Sequence, residues 1–117
     1  MSLFRNMPLI KRSIPGYYEK GQWKTREPVD TDFLGTAQPA SGKVMELLPS
    51  GRSYTEVITV FAPIEMEFTS ADFEKKTGGD IIIYDGKHFE IVVARKFKAG
   101  LLPHWELAAS KKVDRSD

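Results

Sequence analysis

Two residues, Asp85-Gly86, constrain the fold of this 117-residue chain more than any others. They stand between Ile81-Ile82-Ile83-Tyr84 and a largely apolar run over residues 88–94. Asp-Gly favours the type I′ turn, whose twist matches that of paired strands, so residues 81–94 read as a β-hairpin. The same pattern, short extended segments separated by turn residues, runs through the rest of the sequence. Residues 17–25 are aromatic-rich and carry a Lys20-Gly21 turn at their middle. Residues 33–38 are extended and end at Pro39, which cannot donate to a ladder. Residues 55–61 are rich in β-branched side chains and are punctuated by Pro63. Residues 64–68 alternate at period two, which predicts a strand with Glu65 and Glu67 on one face. After Leu102-Pro103, residues 104–109 read as the last strand.

Helical signals are few. Residues 41–48 form the better candidate: Ser41 can cap, Val44, Leu47 and Leu48 recur at helical spacing, and Pro49-Ser50-Gly51 stops the run. Residues 70–76 form the second, capped by Ser70 and ended by Gly78-Gly79. The acidic stretch 27–32, with Pro28 inside it, reads as a loop or an edge. The expected fold is therefore mainly β, a small β-barrel or sandwich with one or two short helices and long loops. Residues 1–14 are expected to be an N-terminal arm, 15–110 a single β domain, and 111–117 a frayed C-terminal tail.

Charge and composition narrow the function. The formal net charge is only +1, whereas a dedicated nucleic-acid binder usually carries a strongly basic face. There is no cysteine, which excludes disulfide frameworks, thiol catalysis and cysteine-ligated metals. No apolar run approaches the roughly 18 residues of a membrane span, and Arg5 and Asn6 interrupt any signal-peptide core, so a soluble protein without a membrane partner is expected.

Candidate chemistry is thin. His88 and His104 stand in none of the spacings that hold a metal, and both read as ordinary surface or structural residues. Glu65, Glu67, Asp72 and Glu74 could do acid–base work only in a cleft that separates their pKa values; on an amphipathic sheet they read as a solvated face. Ser50 lies in no nucleophile elbow, and Gly78-Gly79-Asp80 is too short to cradle a phosphate, so it reads as a turn into the next strand. No catalytic residue, cofactor or metal is expected, and the chain is not expected to be an enzyme. Two basic clusters, Lys11-Arg12 and Arg95-Lys96-Phe97-Lys98, leave one alternative open: a small OB or SH3-like barrel that binds single-stranded nucleic acid, with Tyr17, Tyr18 and Trp23 able to contribute stacking.

The order of the pieces resembles small bacteriophage neck proteins, the head-closure or stopper and head–tail joining proteins. The residues that carry the likeness are Gly35-Thr36-Ala37-Gln38-Pro39, then the short helix, then Leu48-Pro49-Ser50-Gly51-Arg52, then the strand 56–61. Residues 79–92 follow, similar to the G-D-x-apolar-x-Y-x-G-x-x-aromatic-x-V hairpin of virion neck and stopper proteins, and His104-Trp105-Glu106-Leu107 falls where such proteins carry their closing strand. The likeness covers roughly residues 15 to 110; residues 1–14 lie outside it.

The resemblance implies a structural protein that joins or seals the head–tail connection by assembling as a ring. Its implied partners are the phage connector or portal adaptor, tail proteins and further copies of itself. DNA would pass the channel without specific binding, in keeping with the small net charge. The implied location is the virion neck, and the host cytoplasm during assembly. A ring-former needs a rigid barrel and protruding loops, expected here at residues 30–52 and 95–103. Apolar residues in such loops often await a partner, which makes Phe33, Leu34, Leu47, Leu48, Phe97, Leu101 and Leu102 the candidate subunit-interface residues; the alternative is that they fold back onto the core.

Overall fold

A computed structural model describes residues 7–14, 16–48, 56–72, 78–100 and 102–111. Eight strands and one short helix follow in chain order: β1 (Met7–Ser13), β2 (Gly16–Glu19), β3 (Gln22–Thr25), β4 (Val29–Pro39), α1 (Gly42–Met45), β5 (Val57–Pro63), β6 (Ile81–Tyr84), β7 (Lys87–Phe97) and β8 (His104–Lys111). Six of the strands close into an antiparallel barrel in the order β1-β4-β5-β8-β7-β6, while β2 and β3 form a separate two-stranded sheet. Of the two expected architectures, the barrel is the one formed.

Alternation along each strand fills the barrel. Ile58, Val60 and Ala62 of β5 point inward, as do Trp105, Leu107 and Ala109 of β8, Phe89 and Ile91 of β7, Ile82 of β6 and Leu9 of β1. On β4 the inward positions are Phe33, Gly35 and Ala37. Gly35 must lack a side chain, because a Cβ there would meet the Phe61 carbonyl of the neighbouring strand. Small residues on one side thus make room for Phe33, Phe89 and Trp105 on others, and the interior is packed solid. Phe68 closes one end. Its ring meets Phe33 and Trp105 edge-on, each at 5.6 Å, and the Trp105 indole N–H donates to the Met66 carbonyl at 2.8 Å.

Both glycine-containing turns take the geometry their sequences demand. Asp85 and Gly86 have φ of 53° and 72°, and Lys20 and Gly21 have 52° and 78°, positive at both central positions as a type I′ turn requires. A bulge between Ile91 and Val93 shifts the β7–β8 register. Alternation already points Val92 outward, and the bulge leaves Val93 on the same outer side, so both pack in the cluster of Val57 and Ala108 with Val44 and Leu48. That outer cluster holds α1 against the wall. The helix is one turn long; Ser41 Oγ accepts from the Val44 amide at 3.4 Å and its carbonyl from the Met45 amide at 3.0 Å.

Several expectations are corrected. Residues 7–13 are not an arm but β1, which pairs with β4 on one side and β6 on the other and so closes the barrel. The β domain accordingly begins before residue 15, and Lys111 belongs to β8. Of the loop or edge expected at 27–32, residues 29–32 are the edge: they extend β4 and pair with β1 on one side only, where Asp30 faces Arg12 across the ladder. The expected protruding loops at 30–52 and 95–103 begin as strand, since β4 runs to Pro39 and β7 to Phe97. Residues 64–68 form a turn rather than a strand, with the Met66 amide bonded to the Pro63 carbonyl at 3.3 Å, because the chain must swing Phe68 into the barrel mouth. The second helix expected at 70–76 falls mostly on residues outside the described ones, as do Leu101 and Pro49-Ser50-Gly51.

Candidate functional site

Among the described residues the chemistry-bearing side chains do not converge. His88 is exposed near the β6–β7 turn, and His104 opens β8. A carbonyl can only accept, so His104 Nδ1 carries a proton and donates it to Leu102 O at 2.7 Å. Among the described residues no three His, Asp or Glu side chains are grouped to hold a metal ion. Glu65 and Glu67 are exposed in the turn after β5; Asp72 sits in an isolated bridge, and Glu74 lies outside the described residues.

Gly79-Asp80 is a structural latch rather than a ligand loop. The Asp80 amide bonds to the Thr69 carbonyl at 2.8 Å, and the Thr69 amide donates to Asp80 Oδ2 at 2.9 Å. The Asp80 carbonyl accepts from the Ile91 amide at 2.9 Å, and Glu90 Oε2 accepts from the Gly79 amide at 3.0 Å. A Cβ on Gly79 would collide with the Ile91 carbonyl and the Ala71 amide. The buried Asp80 carboxylate therefore ties the segment before β6 to the loop that carries Phe68.

The basic residues are mostly occupied within the molecule. Arg12 grips Asp30 with two bonds of 2.8 and 3.0 Å, which raises the guanidinium pKa and, mainly through the same hydrogen bonds, holds the Asp30 carboxyl below the usual range. Lys11 donates to the Glu67 carbonyl at 2.7 Å and lies over the Phe68 ring, while Lys96 meets Glu67 Oε1 at 3.3 Å and lies over Trp105. Arg95 covers the Phe97 ring at 5.0 Å, and Phe97 in turn stacks on His104 at 5.2 Å.

Among the described residues the large exposed apolar side chains are Ile14, Val29, Leu34, Met45, Leu47 and Leu102, and Leu34 lies on a different wall from Met45 and Leu47. On the wall of β1 and β4 an open groove of about 430 Å³ is lined by Pro8, Leu9, Ile10, Asp32, Phe33 and Leu34. Leu34 is 52% exposed at its rim. On the wall of β5, β8 and β7, α1 packs inward through Val44 and Leu48 and leaves Met45 and Leu47 42% and 45% exposed.

The candidate interface residues divide accordingly. Leu34, Leu47 and Leu102 are exposed on the surface. Leu48 supports α1, Phe97 is half-buried in the stack with His104, and Phe33 is a core residue, because the inward alternation of Gly35 and Ala37 continues back through it. Pro8, Ile10 and Met45 were not singled out by the sequence. Met45 follows Val44 on the one-turn helix, and its outward position is legible only once Val44 and Leu48 are known to face in.

No family model matches the sequence, and no curated protein matches it.

Proposed function

We propose that this chain is a ring-forming structural protein of a bacteriophage neck, joining or sealing the head–tail connection. The observation that carries the reading is a closed barrel in which, among the described residues, reactive groups do not converge, while Leu34 is exposed on one outer wall and Met45 and Leu47 on another. Buried side chains from all six strands occupy the described interior, and exposed apolar patches on a rigid frame suit contacts with other subunits. The Gly79-Asp80 and Tyr84-x-Gly86 elements of the resemblance fall, respectively, on the latch before β6 and on the turn that follows it.

The ring forms on a preassembled connector, since the exposed apolar residues are scattered rather than gathered into the large face of an obligate oligomer. Purified protein is expected to sediment as a monomer at micromolar concentration. Mixed with DNA-filled, tailless heads of the phage that encodes it, the protein should co-sediment at a fixed number of copies per head. Absence of binding to such heads would refute the neck reading, and a stable ring in dilute solution would refute templated assembly alone.

A second reading, a barrel that binds single-stranded nucleic acid, is favoured by one observation, the Arg95–Phe97–His104 stack on the outer wall. Against it, Lys11, Arg12, Lys87 and Lys96 all have acceptors within the molecule. A mobility shift of single-stranded DNA that weakens steeply with salt would establish it; no shift at low salt removes it.

A further inference from the structure

After β5 the chain leaves the barrel wall and crosses its mouth, and residues 64–71 join no strand ladder. The backbone fixes this segment at its two ends, through Pro63 in β5 and through the Ala71 amide, which donates to the Ile91 carbonyl of β7 at 2.8 Å. Between those ends, side chains from three different strands reach in to hold it. The Trp105 indole of β8 donates to the Met66 carbonyl at 2.8 Å, and the Lys11 ammonium of β1 to the Glu67 carbonyl at 2.7 Å. The Lys96 ammonium of β7 meets the Glu67 carboxylate at 3.3 Å, a weak tether because that carboxylate is 79% exposed. Asp80 grips a single residue twice: its amide donates to the Thr69 carbonyl, and its carboxylate accepts from the Thr69 amide.

The segment buries little. Phe68 is its one buried residue, set against the rings of Phe33 and Trp105, with Met66 half-buried beside it. The strands beneath share the rest of the core and a closed set of ladders. A segment with few buried contacts and no ladder lies at the low end of local stability, well below the barrel that it covers. Asp80 stays with the barrel when such a segment moves. Its carbonyl accepts from the Ile91 amide at 2.9 Å, and the Glu90 carboxylate holds the neighbouring Gly79 amide at 3.0 Å.

We infer that residues 64–70 are a plug that opens from the barrel mouth while the six strands stay folded, and that the Asp80 carboxylate is the latch that keeps it shut. Opening lifts Phe68 out of the mouth and uncovers the rings of Phe33 and Trp105. This device goes beyond the ring-forming reading and stands without it.

The chain has two tryptophans, so Trp23→Phe leaves Trp105 as the only indole, with its N–H bonded to the plug. Acrylamide quenching of Trp105 emission then reads the open state. Asp80→Ala in that background should raise the quenching constant about threefold or more, with the β spectrum and a single cooperative denaturation retained. Asp80→Asn keeps an oxygen that can accept from the Thr69 amide and should restore most of the protection. Unchanged quenching in Asp80→Ala would overturn the latch, and so would loss of the barrel itself, since the carboxylate would then hold the fold rather than the plug. Hydrogen exchange in the unaltered protein tests the opening without any substitution. The Thr69 and Asp80 amides should be protected about a hundredfold less than those of Val60 and Leu107 in the barrel wall. Equal protection at all four would show that the mouth opens only when the barrel unfolds, and would overturn the inference.

Discussion

Two hairpins in this molecule share one turn chemistry and end in different places. In β2–β3, Lys20-Gly21 sets the turn and the strands pair only with each other; in β6–β7, Asp85-Gly86 sets a turn of nearly the same φ values and both strands go on to join the barrel. The difference lies outside the turn. Ile82, Phe89 and Ile91 supply a continuous buried face, and β1 and β8 complete the ladders on either side. A type I′ turn decides that a hairpin forms; whether further strands complete its ladders decides whether it is built into the barrel.

This contrast makes definite claims about stability. The largest effect is expected for Phe89→Ala, which empties the barrel interior and should cost about 3–5 kcal/mol, read as a lowered denaturation midpoint. Loss of less than that range would mean that the interior is looser than its burial indicates. A sharper comparison puts the same substitution in both turns. Gly86→Val forces a β-branched residue to positive φ inside the cooperative unit and should cost on the order of 1 kcal/mol or more. Gly21→Val meets the same local strain in a two-stranded sheet that can open by itself, so the global midpoint should hardly move. Equal losses at the two sites would show that β2–β3 is an integral part of the folding unit.

The smallest effect concerns the strand pair from whose far end the β2–β3 hairpin continues. Arg12 lowers the Asp30 pKa, so the pair stabilises the folded chain above the unfolded carboxylate pKa, near 4, and the benefit fades as pH falls through the lower folded value. The midpoint difference between the wild-type chain and Asp30→Asn should accordingly be present at neutral pH and vanish in acid. A difference that persists below both pKa values would assign the effect to something other than the ion pair.

The same contrast explains which parts of the fold the sequence announces. Turn chemistry is local, so Asp85-Gly86 and Lys20-Gly21 are legible directly, and Pro39 and Pro63 mark strand ends as expected. Strand β1 is hidden for a physical reason. Its outward residues, Pro8 and Ile10, are as apolar as its inward residues, Met7 and Leu9, so no alternation distinguishes a face. Residues 64–68 alternate and yet form a turn, because closing the barrel with Phe68 outweighs local pattern. The exposed walls are legible only in part. Leu34 and Leu47 stand out as apolar residues in expected loops, but the groove that Leu34 lines is made by pairing Pro8, Leu9 and Ile10 with Leu34, Phe33 and Asp32, more than twenty positions apart in sequence.

The most direct test of the central claim is genetic and structural at once. On the proposed neck role the gene belongs to a phage genome, where it would be disrupted and the products of infection examined by electron microscopy. DNA-packed heads and complete tails are expected to accumulate apart, with joining restored by the purified protein. Normal yields of intact, infectious virions from the disrupted phage would contradict it.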